Sequence, residues 1–171
     1  MSFSSDLLDQ ARELMVADVR RPKQSSLRRA VSTAYYGLFH LLTEEATLQM
    51  LGTAAGRRRM RHAVARSFSH ASMARACKAF ASGQFPKQVE QIVHPLHIPV
   101  DLQVVAWTFT TLQNARHRAD YNLAAPFQRA EVIALVESAE QAVEAWHRVK
   151  MDDASRFFLA SLPLWDRMER G

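Results

Sequence analysis

At 171 residues, 48% of them apolar and only five of them glycine, the chain is the size of one ordinary domain and can bury a core without outside help. A single cysteine, Cys77, excludes an internal disulfide and a cysteine-rich zinc site, while neither a run of about eighteen apolar residues nor a basic-then-apolar leader occurs, so a membrane-free, cytoplasmic protein is expected. The net charge of +5 is unevenly placed: between Gly52 and Val89 stand eight of the 22 Lys and Arg residues and none of the 17 Asp and Glu.

Apolar residues recur at three and four throughout, which is the period of a helix. A first helix is expected from about Ser5 to Val19, with Leu7, Leu8, Ala11, Leu14 and Met15 inward, ended by Arg21-Pro22. A second starts near Ser25 or Ser26, either of which can cap it, and runs to about Leu51, where Gly52 stops it. Its core stripe is Leu27, Val31, Ala34, Tyr35, Leu38, Leu41 and Leu42. Beside it runs a polar line, Arg29, Thr33, Tyr36, His40 and Thr43; YYGLFH reads either as ordinary aromatic core with a snorkelling tyrosine and a satisfied histidine or as a groove wall facing the Arg116 end of a later helix.

The third expected helix is the basic one, about Arg57 to Ala81, with Ala63, Val64, Phe68, Ala71 and Ala76 as apolar positions. SGQFPKQVEQIVHPLHIP then reads as irregular because of its glycine and three prolines. A fourth helix begins near Asp101, a plausible N-cap after Pro99, with Leu102, Val105, Phe109 and Leu112 inward and NARHRADYN at its end. A fifth starts after Pro126 and carries Val132, Leu135, Val136, Ala139, Val143 and Trp146; a short one restarts at Asp152-Asp153 and stops before Pro163. The expected fold is all-α: an antiparallel bundle of four to five long helices over residues 1–150, with a short apolar helical extension, 151–171, packed on the bundle or on a partner subunit.

An acid-free basic segment is the footprint of a polyanion, with nucleic acid the first candidate; a solvated face or a patch that docks an acidic protein is the alternative. On the fourth helix the buried stripe continues to Arg116, whose charge needs a partner there, and Asp120 lies four residues on along the same face. Arg118 and Tyr121 lie on another line. His94 and His97 stand in a proline-broken loop without a carboxylate or second cysteine, too few ligands for a metal, and no phosphate loop or hydrolase motif occurs, so no metal or cofactor is expected.

The pattern RRAVSTAYYGLFHLL followed by RHRADYN resembles the HEPN domain (higher eukaryotes and prokaryotes nucleotide-binding), in its bacterial RxxADY branch, over roughly Leu7 to Val149. The resemblance implies a helical bundle that forms a homodimer, is often encoded beside a small nucleotidyltransferase as a toxin–antitoxin component, and counts metal-independent ribonucleases among its relatives. In those an arginine and the polar residue after it are followed by a histidine, with four to six residues between the arginine and the histidine. Here Arg116 matches the arginine and His117 the polar residue, but Tyr121 stands where the histidine would fall. A phenol stays protonated at neutral pH and is a poor general base, although it can donate a hydrogen bond or stack on a base.

The implied site thus comprises Arg116, His117 and Tyr121 for any residual catalysis, with Arg116, Arg118, Arg29, Tyr36, His40, Arg57, Arg58, Arg61 and His62 for substrate phosphate and Asp120 in a structural role. The expected function is RNA or nucleotide binding with weak or absent ribonuclease activity. The alternative is a non-catalytic interaction module docking an acidic partner such as a cognate nucleotidyltransferase; a third reading is a nuclease rearranged around His40, His62 or His117.

Overall fold

The computed structural model describes residues 2–18 and 20–170. It is 77% helical, and among the described residues there are nine α-helices and no strand, so the all-α class read from the sequence holds. They are α1 (Phe3–Val16), α2 (Gln24–Leu51), α3 (Arg58–Ala65), α4 (His70–Ser82), α5 (Lys87–Val93), α6 (Val100–Tyr121), α7 (Arg129–Val149), α8 (Asp153–Ser161) and α9 (Trp165–Met168). No helix among the described residues is long and apolar enough to cross a membrane. The chain divides into two compact units, the first Met1–His40 with Thr108–Glu144, the second Leu41–Trp107 with Ala145–Gly171, and α2, α6 and α7 contribute residues to both.

In the first unit four helical segments pack antiparallel. Ser4 Oγ of α1 donates to the Gly37 carbonyl of α2 at 3.0 Å, and a Cβ on Gly37 would stand 2.9 Å from Leu8 Cδ2, so the glycine is what lets α1 lie this close. Ala11, Val31, Ala34, Tyr35, Leu38, Phe109, Leu112, Val132, Val136 and Ala139 form the core; Leu7, Leu14 and Leu135 from the expected stripes are half-buried. The turn after α1 differs from expectation. The helix ends at Val16, and the predicted end, Val19, lies outside the described residues. Asp18 takes a left-handed φ of 57°, which a short polar side chain tolerates, and its carboxylate pairs with Lys23 and accepts from Ser26 Oγ at 3.2 Å. Ser25 and Ser26 therefore do not cap α2, which already begins at Gln24.

In the second unit Phe80 is fully buried and its ring meets Phe85, Phe158 and Trp165 at centroid distances of 5.1, 4.9 and 6.4 Å. Ser72 Oγ donates to the Leu162 carbonyl, and Arg75 pairs with Asp166 and with Glu169, so the apolar tail is fastened to α4. The Arg75 hydrogen bond holds the Asp166 carboxyl below its ordinary value.

Three sequence expectations fail here for local reasons. The single basic helix is a 3-10 turn at Ala55–Arg57 followed by α3 and α4, broken because Phe68 is buried and Ser69 caps α4 by accepting from the Ser72 N–H at 3.1 Å; Ala63 and Ala71, expected inside, are exposed. The proline-rich stretch holds α5, started by Pro86, with Val89 and Val93 buried. Asp101 lies inside the first turn of α6 rather than capping it, and its carboxylate, lowered in pKa by the Arg148 hydrogen bond, takes that guanidinium through two contacts of 2.8 and 2.9 Å.

Candidate functional site

The end of α6 meets α2 in the first unit through Arg28, Ser32, Tyr35 and, of the polar line, Tyr36. Phe109 and Leu112 are buried, and Arg116, the next position on that stripe, has a side chain 17% exposed. Its guanidinium carbon lies 5.5 Å from the Tyr35 ring and 5.3 Å from the Tyr36 ring, and its Nε is 3.1 Å from Asp120 Oδ2. Asp120 also accepts from Ser32 Oγ at 2.7 Å, so one carboxylate holds both an arginine of its own helix and a serine of α2. The Nε contact is a charge contact rather than an aligned hydrogen bond, which leaves a buried N–H unmatched among the described residues.

Arg118 pairs with Glu131 of α7 and stacks over the Phe127 ring at 3.9 Å. Both motif arginines are therefore engaged within the unit. A residue that sequence reasoning passed over organises the same helix end: Arg28 donates to the carbonyls of Ala119 (2.8 Å), Asn122 (3.1 Å) and Ala125 (2.8 Å), with longer contacts to Arg118 and Leu123. The last carbonyls of a helix have no partner within it and carry partial negative charge, and a planar five-donor fork answers both needs. The available signal was spacing: Arg28, Ser32 and Tyr35 form a line one residue away from the polar line, and all three reach α6.

Arg29, Tyr36 and His40, expected at a phosphate, line a pocket of about 190 Å³ together with Ser32 and Thr33. Phe3, Leu7 and Gln10 of α1 close its other side, and the Phe3 ring stands edge-on to His40 at 4.9 Å. Arg116 does not line this pocket; it contacts Tyr36, which does. His117 is exposed, with its ring 4.8 Å from that of Tyr121, itself 69% exposed. Thr43, the last member of the polar line, is buried in the second unit.

In the second unit the basic segment separates into two sets. Arg57 donates to the Leu51 carbonyl at 2.7 Å and Arg61 to the carbonyls of Gly52 and Ala54 at 2.8 and 3.1 Å, so these two close the end of α2, where Gly52 has a φ of 72°. Arg58, Arg59, His62 and Arg66 instead surround an open groove of about 530 Å³. All four are exposed, and none of their side chains has a hydrogen-bond or ion-pair partner among the described residues. Among the described residues no group of three or more His, Cys, Asp and Glu stands close enough to hold a metal. No family model, curated protein or solved structure matches the chain.

Proposed function

We propose that this chain is a HEPN-like RNA- or nucleotide-binding protein that contacts phosphates through the exposed face of α3, with little or no ribonuclease activity. The observation that carries this reading is the groove around Arg58, Arg59, His62 and Arg66, four cationic or proton-accepting side chains with no carboxylate in its lining. Arginines crowded at a helix N-terminus oppose the macrodipole, so folding alone gives no reason for them, whereas an anion in the groove offsets that cost. Arg58, His62 and Arg66 follow one another at four residues, about 6 Å of rise per step, close to the separation of neighbouring phosphates along a strand. Arg66 keeps helical angles just past the end of α3, so the series is unbroken.

Catalysis fits less well. Tyr121 replaces the expected histidine, and Arg116, the cation a developing phosphorane would need, is turned toward Asp120 and two tyrosine rings. Incubation with a structured RNA is expected to yield no cyclic-phosphate product that disappears in Arg116→Ala; a product with that dependence would restore the nuclease reading. Binding is tested by titrating a short labelled single-stranded RNA at several salt concentrations. Three phosphate contacts predict a slope of log affinity on log salt of about −2. Binding that is absent, or indifferent to salt, would overturn the reading in favour of a module that docks an acidic protein.

A further inference from the structure

The pocket of the first unit is a separate feature with its own chemistry. Its volume of about 190 Å³ lies below the range of about 300–1,000 Å³ typical of drug-sized ligands, so it has room for one ring and one attached group rather than a long molecule. No Asp or Glu lines it. Arg29 is exposed at its edge and has no ion-pair or hydrogen-bond partner among the described residues. The proton of the Ser32 hydroxyl is committed to Asp120, and the Arg29 guanidinium, the Gln10 amide, the Thr33 hydroxyl, the Tyr36 phenol and the His40 ring all bring donor groups to the wall.

The remaining wall is made of rings. Phe3, 60% exposed although it is a phenylalanine, stands edge-on to His40, and His40 lies stacked against Tyr36 at 6.2 Å. Cationic and neutral donors without any acid select an anion, and three rings around a small space select a planar body. We propose that this pocket binds a small anion carried on a single flat ring, with Arg29 on the charge and Phe3 against the ring. Ser32 and Tyr36 touch both the pocket and the Arg116–Asp120 pair, so a bound ligand would rest against the side chains that hold the end of α6. The proposal does not depend on the α3 groove or on RNA.

Calorimetric titration of the full chain with phenyl phosphate, benzoate and orotate, and with inorganic phosphate as the ringless control, tests it. At least one ring-bearing anion is expected to bind saturably, one per chain, at least tenfold more tightly than inorganic phosphate. Binding of orotate alone would identify a pyrimidine acid, and binding of the aryl compounds as well a general aromatic acid. Arg29→Ala should weaken binding tenfold or more, Phe3→Ser should weaken it as a second, independently placed change, and the combined Arg58→Ala, Arg59→Ala, Arg66→Ala variant should bind as the parent does. Failure of all three ring-bearing anions to saturate, equal binding of inorganic phosphate, unchanged binding in both pocket variants, or loss in the α3 variant would each overturn it.

Discussion

The end of α6 and the face of α3 carry similar numbers of arginines and use them in opposite ways. Arg116, Arg118 and the supporting Arg28 are all bound inward, to Asp120, to Glu131 and to the carbonyls that end the helix. Arg58, Arg59 and Arg66 point to a groove with no acid in it. The residues around an arginine, more than the arginine itself, decide whether it is part of the fold or available to a ligand. Glu131 lies thirteen residues from Arg118, whereas no acid occurs between Gly52 and Val89 to engage α3 locally. Arg75 marks the boundary between the two behaviours, since it lies in the acid-free segment but is met by Asp166 and Glu169 of the tail.

The contrast breaks most visibly in stability. Asp120→Ala leaves a mostly buried guanidinium without its carboxylate and should cost about 3 kcal/mol, the low end for a broken buried pair because the Asp120 side chain is one-third exposed. The double change Arg116→Met, Asp120→Ala removes both charges and should recover more than half of that loss in urea unfolding. If the double variant is as unstable as the single, the pair is not what the carboxylate serves. Next in size, Arg28→Ala should cost about 2 kcal/mol by stranding several carbonyls at the end of α6, read as a lower urea midpoint with an unchanged slope.

On the other side of the comparison, replacing Arg58, Arg59 and Arg66 together with alanine should move stability by no more than about 0.5 kcal/mol, as for surface positions without partners. A loss of several kcal/mol on thermal unfolding would mean that these side chains are structural after all. The smallest effect concerns Arg75. Because its hydrogen bond lowers the Asp166 pKa below the ordinary 3.8, the contact contributes stability that is present above that value and is lost as pH falls through the lower folded-state value. Asp166→Asn should therefore lower the melting temperature slightly at neutral pH and flatten its decline below about pH 4; an identical acid limb in both proteins would show that the contact is absent in solution.

How much of this was legible in the sequence follows the same division. The three-and-four spacing located α1, α2, α6 and α7, and Gly52 marked the C-terminal end of α2 and Pro99 the start of α6, because these are local properties of the chain. The polar line Arg29, Thr33, Tyr36, His40 and Thr43 was legible for that reason too, and its first four members line the pocket. The break between α3 and α4 was not, since a continuous helix from Arg57 satisfies the local pattern and only burial of Phe68 and capping by Ser69 interrupt it. Arg57 and Arg61 looked like part of the anion face until the end of α2 supplied carbonyls for them. The roles of Arg28, Ser32 and Glu131 depend on partners on other helices, which spacing along one helix does not reveal.

Whether phosphates bind at α3 or at the end of α6 is tested most directly by comparing salt-dependent binding of a short single-stranded RNA by the parent chain, by Arg116→Met and by the combined α3 variant. The first two are expected to show a log–log slope of about −2 and the α3 variant a loss of affinity on the order of 100-fold with a slope near zero. Loss of binding in Arg116→Met together with full binding by the α3 variant would contradict binding at α3 and return the phosphate site to the end of α6.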